Sequence, residues 1–233
     1  MTTRIRQLVV VVPARDEQKT MARCLDALEA ALTQLRTRTT DCPDVRIIVV
    51  LDRCLDDTTD IVARYARVDA VVSSAGRVGA ARARGIDTVL AASDVPRHEV
   101  WISNTDADSA VPPDWLGVQL EAAEAGHAVL LGAVRPDQEG LDAEQLAHYL
   151  LRHPLRESHR NVHGANLGVR ADHYIAVGGF AAVATGEDVK LVAAIEALGL
   201  SVASTGRAAV LTSSRLLGRA PDGYSDVLRA IAG

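Results

Sequence analysis

The sequence predicts an α/β domain with a mostly parallel sheet flanked by helices, and three observations predict it. Short β-branched runs alternate with segments whose apolar residues recur at helical spacing. Four of the predicted strands run directly into a polar loop. No linker rich in Pro, Gly or Ser and no internal repeat divides the 233 residues, so one domain is expected throughout.

The elements follow in order. "IRQLVVVVPA" reads as a strand stopped by Pro13, and "EQKTMARCLDALEAALTQLR" as a helix with Met21, Leu25, Leu28 and Leu32 on one face. "VRIIVVLD" and "DDTTDIVARYAR" repeat the strand–helix order, with an Asp/Thr cluster suited to capping the second helix. "VDAVVSSAG" and "RVGAARARGIDTVLAAS" repeat it again. "EVWISNTDADS" is a fourth buried strand, after which helical "PDWLGVQLEAAEAG" leads into the strand "HAVLLGAV". The later part is less regular. A helix in "LDAEQLAHYLLRH", a strand with turn residues in "VHGANLGVRAD", a helix in "GEDVKLVAAIEALG" and closing strands in "SVAS" and "AAVLTSS" are expected.

Composition narrows the class. Hydrophobic residues make up 48% and charged residues 24%, a soluble globular mixture. The formal net charge of -5 lacks the basic excess of a general nucleic-acid binder. Cys24, Cys42 and Cys54 are odd in number and form no CxxC, which argues against a disulfide framework and fits a reducing cytoplasm. The first apolar stretch is too short to span a bilayer and runs into Pro13 and charges, so neither a secretory leader nor a membrane span is expected.

In open α/β sheets a ligand lies beyond the carboxyl ends of the strands, and residues 13–17, 52–57, 76–82 and 104–108 all follow predicted strands. Four polar loops on one rim suit a nucleotide. In "NTDADS", Asp106 and Asp108 stand two apart, which in an extended segment puts both carboxylates on one side. That pair suits a hard divalent cation, while Asp and Ser also favour a solvated turn.

The loops resemble, in order and identity, family 2 glycosyltransferases with the GT-A fold, a Rossmann-like sheet that binds nucleotide sugars. The resemblance runs in segments from about Val9 to about Leu217. "VVPARDE" resembles the family's "PARNE" opening and implies that Pro13, Ala14, Arg15 and Glu17 help hold the nucleotide. "VVLDRCLDDTTDI" resembles "VVDDGSTDGT" and implies base or ribose binding by Asp52, with Asp56 as the second aspartate and "DRC" where the family often has "DGS". Asp57 reads better as a helix cap. "AGRVGAARARGID" resembles "GxxxARNxG" and implies that Arg82 meets the nucleotide sugar, with Gly76 and Gly79 permitting close backbone approach.

"SNTDADS" then falls at the family's DxD motif. The resemblance implies Asp108 as the direct ligand of Mg²⁺ or Mn²⁺, with Asp106 supporting the ribose or the metal. "HGANLGVRADHYIAVGGF" and "TGEDVKL" resemble the acceptor half and imply Asp188 as catalytic base, with Glu187 its motif neighbour. About residues 1–110 would form the nucleotide-binding half and about 111–233 the acceptor-binding half. The implied activity is a single, inverting transfer from a nucleoside diphosphate sugar to a hydroxyl of a small molecule, lipid or glycan. No nucleic acid partner and no membrane segment are expected.

Two departures stand out. No histidine follows His173, where many relatives supply a late metal ligand, so Thr212, Ser213, Ser214, Arg215, Arg219 or water would complete the site. The processive "QxxRW" signature is absent. His159 and His163 have the spacing of a zinc pair on a helix, but Pro154 and Gly164 flank them and an acceptor-side loop is the better expectation. Two other classes compete: a sugar-phosphate nucleotidyltransferase, which would want a glycine-rich, lysine-bearing first loop that "VVPARDE" lacks, and a noncatalytic nucleotide-sugar-binding protein.

Overall fold

A continuous run of branched apolar residues needs cover on both faces, and β1 (Gln7–Ala14) has it in the computed structural model. Leu8, Val10 and Val12 enter one core and Val9 and Val11 the other, the two-residue period of a strand. The structure describes residues 4–137, 143–152 and 155–213. Pro154, Ser214, Arg215 and Arg219 lie outside them.

The expected alternation follows: α1 (Met21–Arg38), β2 (Asp44–Asp52), α2 (Thr58–Val62), β3 (Val68–Ser73), α3 (Val78–Ala91) and β4 (Val100–Asn104). After them come β5 (Ser109–Ala110), α4 (Trp115–Glu124), β6 (Val129–Pro136), α5 (Ala143–Arg152), β7 (Leu167–Arg170), α6 (Ala171–Ala176), α7 (Glu187–Ala197) and β8 (Val202–Thr212). The sheet order is β3-β2-β1-β4-β7-β6-β8-β5. Its first four strands are wholly parallel, while β7 runs antiparallel to both β4 and β6. Parallel order puts the carboxyl ends of β1 to β4 on one rim. One core lies under α1 and α4, and the other under α3, α6 and α7.

Several expectations are corrected. Pro13 does not stop β1, which continues opposite Val50 and Leu51 of β2. Val11 uses its carbonyl toward the β4 side, accepting from Thr105 N–H, so Pro13 faces that same side beyond Asn104, where the missing N–H has no ladder partner to lose. Helix α2 is five residues long, far shorter than "DDTTDIVARYAR" suggested. The chain tightens into turns after it, and the Tyr65 hydroxyl docks on α1 by donating to Asp26 Oδ1 at 2.8 Å.

The two closing strands are one. β8 pairs with β6 through Thr205, skips, and resumes at Val210. At the irregularity, a Cβ on Gly206 would lie 2.7 Å from the Leu155 backbone, so only glycine lets the two segments approach. Finally, the strand holding the paired aspartates ends at Asn104. A turn closed by Ser109 N–H on Asp106 C=O follows, so strand alternation is not what places the two carboxylates.

Candidate active site

The sequence places its polar loops where the sheet ends, and the loops lock to one another. Glu17 N–H donates to Thr58 Oγ1 at 2.8 Å, Gln18 N–H to Asp56 Oδ2 at 3.0 Å, and Leu55 N–H to Asp16 Oδ1 at 2.7 Å. Asp16 adopts a left-handed backbone (φ 50) to do this, a conformation that aspartate tolerates better than most residues. Asp57 occupies the α2 N-cap position without a side-chain bond. Asp56 supplies it instead, accepting from Thr58 N–H at 3.0 Å, and the hydrogen bonds from Thr58 and Gln18 outweigh burial to hold its carboxyl below the usual range.

On β1 and its loop, Pro13 is partly buried, Ala14 and Glu17 are buried, and Arg15 is exposed. Glu17 Oε2 accepts from the Thr20 hydroxyl at 2.9 Å. At the end of β2, the buried Asp52 accepts from Gly76 N–H at 2.9 Å and from the Ser73 hydroxyl at 2.9 Å. Gly76 has φ +69, the left-handed conformation that glycine adopts without strain.

Past β4, Asp106 and Asp108 are both half-buried in the turn. The late strand closes on it: Ser109 and Thr212 hydroxyls meet at 2.9 Å, and Ser213 N–H donates to Asp108 C=O at 3.2 Å. Thr212 and Ser213 therefore stand beside the paired aspartates. Cys24 lies beneath, its Sγ donating to Asp106 C=O at 3.4 Å. Burial, with Asp108, Asp106 and Glu17 nearby, pushes its thiol far above the ordinary range.

Arg82 links this turn to the far half of the sheet. Its guanidinium is 3% exposed and donates through Nη2 to Asp106 Oδ1 at 2.5 Å and through Nη1 to Glu187 Oε1. Burial alone would weaken its charge, but Asp106, Glu187 and Asp188 raise its pKa above the arginine value. Burial pushes the Glu187 carboxyl upward, with Arg82 opposing. Asp188, the next residue, accepts Gly164 N–H on Oδ2 at 2.8 Å. Gly164 lies directly on Arg82, where a Cβ would come within 2.5 Å of Nη2.

The structure thus brings Asp106, Arg82, Glu187 and Asp188 into one connected cluster, while Asp52 and the 13–17 loop lie further along the same rim. Arg82, expected to touch the nucleotide sugar, directs its bonded nitrogens at protein carboxylates. Three contributors had no role assigned from sequence. Cys24 lies under the turn, Gly164 caps Arg82, and Asn166 forms a buried hub. The Asn166 carboxamide accepts from Trp115 Nε1 at 2.8 Å and donates to Ala133 C=O at 2.8 Å. The only available signal was small and polar residues packed together in "HGANLG".

Asp106 and Asp108 offer the carboxylate chemistry that a hard cation takes, with Asp106 Oδ1 engaged by Arg82. Both candidates are carboxylates, and a small divalent ion commonly takes one or two of these and fills its shell with substrate phosphates and water. No cluster of three or more His, Cys, Asp or Glu side chains suited to a metal occurs among the described residues. His159 lies in an irregular segment with Nε2 3.2 Å from Thr205 C=O.

The rim of parallel strands, the crossing to antiparallel β7 and the acidic turn at β4 define a GT-A fold. The chain belongs to glycosyl transferase family 2, whose profile matches residues 9–182, and is a glycosyltransferase domain of that family. Among solved structures it resembles S. aureus TarS 1–349 in complex with UDP-GlcNAc, with a TM-score of 0.65 at 16% identity over 97% of this chain and 65% of that one. It also resembles the mannosyltransferase PcManGT from Pyrobaculum calidifontis in complex with GDP-Man and Mn²⁺, with a TM-score of 0.63 at 18% identity over 99% of this chain and 70% of that one. The chain spans less than two thirds of the TarS 1–349 structure. No curated protein matches it by sequence. No helix of the described residues is long and apolar enough to cross a membrane.

Proposed function

We propose that this domain transfers one sugar, with inversion, from a nucleoside diphosphate sugar to the hydroxyl of a small-molecule, lipid or glycan acceptor. The observation that carries the reading is the Asp106–Arg82–Glu187 link, built on a buried arginine, which joins the acidic turn to the helix start bearing Asp188. Residues up to about 110 serve the nucleotide, and those from about 111 onward serve the acceptor. The work takes place in the cytoplasm, where the nucleotide sugar is available and the cysteines stay reduced.

Asp106 and Asp108 would hold Mg²⁺ or Mn²⁺, which supplies charge neutralisation to the donor diphosphate. Asp52 and the loop carrying Pro13, Ala14, Arg15 and Glu17 seat the nucleoside. Asp188 takes the proton of the acceptor hydroxyl as its oxygen bonds to the anomeric carbon. The bond from that carbon to the diphosphate oxygen breaks on the opposite side, and its electron pair leaves with the nucleoside diphosphate. The Gly164 N–H orients the Asp188 carboxylate, and each oxygen retains lone pairs for the acceptor proton. Arg82 and Glu187 set the distance between donor and base.

Incubation with nucleotide sugars and an acceptor panel tests the reading by product. Nucleoside diphosphate release coupled to glycosylated acceptor supports it. Pyrophosphate release would instead indicate nucleotidyl transfer, and donor binding without turnover would indicate a binding protein.

A further inference from the structure

The donor end of the rim carries an arginine that the roles above leave unused. Arg53 follows Asp52 immediately and has φ 58, so a long side chain occupies a left-handed position that glycine would take without strain. Its backbone N–H donates to Ser73 C=O at 3.1 Å and its Nε to Ser74 C=O at 2.9 Å. The guanidinium lies flat on the Gly76 turn, where a Cβ would meet Cζ and Nη1 at 2.7 Å. Among the described residues no carboxylate comes within ion-pair distance of it, unlike Arg82, and Arg53 is exposed. Nη1 and Nη2 therefore present donors outward from a side chain whose direction is fixed.

Sheet order says which part of a donor they meet. Neighbouring strands lie about 4.8 Å apart, so with β1 between them the ends of β2 and β4 are separated by roughly 10 Å. Arg53 extends from β2 toward the loop after β3, away from the Asp106–Asp108 turn. It therefore faces the nucleoside end and not the diphosphate. Gly76 joins it to Asp52, since the same glycine gives its N–H to Asp52 and its Cα surface to Arg53. The rim thus offers an acceptor-only carboxylate beside a donor-only guanidinium.

We infer that Arg53 selects a keto nucleobase by donating to O4 of uracil or O6 of guanine. These bases carry an N–H next to that carbonyl, which matches the Asp52–Arg53 order. Cytosine and adenine put an amino group at the same place, and its hydrogens oppose the guanidinium. This rests on the glycosyltransferase reading of the site.

Calorimetric titration with UDP, GDP, CDP and ADP in Mn²⁺ tests it on the wild-type protein, Arg53→Gly and Arg53→Lys. The wild type should bind UDP or GDP about tenfold or more tighter than CDP and ADP. Arg53→Gly should lose most of that gap without a fall in Tm, because glycine relieves the left-handed strain. Arg53→Lys keeps the charge and the backbone strain but not the fork, and should also narrow the gap; it decides the matter if the glycine variant folds poorly. An unchanged gap in the variants, or a wild-type preference for CDP or ADP, overturns the inference while leaving the transferase reading intact. No binding of any nucleoside diphosphate by the wild type overturns both.

Discussion

Arg82 Nη2 lies 2.5 Å from Asp106 Oδ1, and the same guanidinium holds Glu187 through Nη1. One buried cation therefore ties the end of β4 to the start of α7, two elements more than eighty residues apart in sequence. Removing it leaves Glu187 buried without its partner. Arg82→Met should cost about 3–5 kcal/mol in urea unfolding. Adding Glu187→Leu should recover part of that loss, because no charge is then stranded. Independent, additive costs in the double variant would contradict the coupling.

Asp188 carries the proposed proton transfer. Asp188→Asn should lower transfer by about 10²- to 10⁴-fold and leave donor Kd unchanged, measured by product formation and calorimetry. Normal transfer in the variant would remove Asp188 from the base role.

The strand–helix alternation was legible because branched apolar runs and helical periodicity are local properties. The carboxyl-end rim followed from parallel order alone. The Asp106–Arg82–Glu187 link was not legible, since nothing near Arg82 distinguishes a buried arginine from one facing a ligand until the fold places two carboxylates beside it. At Asp106–Asp108 the sequence is compatible with both an extended segment and a turn, because the choice depends on the Ser109 N–H closing back on Asp106. The merged β8 depended likewise on a distant approach, that of Leu155 to Gly206.

One contribution to acid stability comes from the opposite end of the sheet, where Arg170 donates to Asp172 through Nε at 2.8 Å and Nη2 at 2.9 Å. Burial would raise the Asp172 carboxyl, but Arg170 and His173 bring it below the usual value. Burial also lowers His173, with Asp172 opposing. Both groups bind fewer protons folded than unfolded, so stability rises with pH through each window. The Asp172 contribution is complete above the ordinary carboxylate range and lost as pH falls through its lowered value. That of His173 is lost earlier, below the ordinary histidine range. Asp172→Asn should flatten the Tm profile in the lower window, and an unaltered acid limb would contradict this.

Gly132 faces the Asn166 hub, and a Cβ there would sit 2.1 Å from Asn166 Cγ. The carboxamide is fixed by Trp115 and Ala133 and cannot swing away. Gly132→Ala should therefore destabilise by about 1–3 kcal/mol, read from the urea midpoint at constant m. A wild-type midpoint would show that the hub yields.

Cys24 is 1% exposed, and its raised thiol pKa keeps it protonated. Native thiol titration should miss it, with reaction appearing only on unfolding. Prompt modification of Cys24 in the folded protein would contradict the closed floor beneath the acidic turn.

In the proposed reaction Asp106 and Asp108 join a divalent cation to the donor diphosphate. Thermal shift with UDP-GlcNAc and GDP-Man as probes, with and without Mn²⁺, on the wild type and Asp108→Asn tests it most directly. The wild type should show a Tm rise with nucleotide sugar plus Mn²⁺ that exceeds the sum of either alone. Asp108→Asn should lose that excess and its donor turnover together. A full Mn²⁺-dependent shift with undiminished turnover in Asp108→Asn would contradict the account.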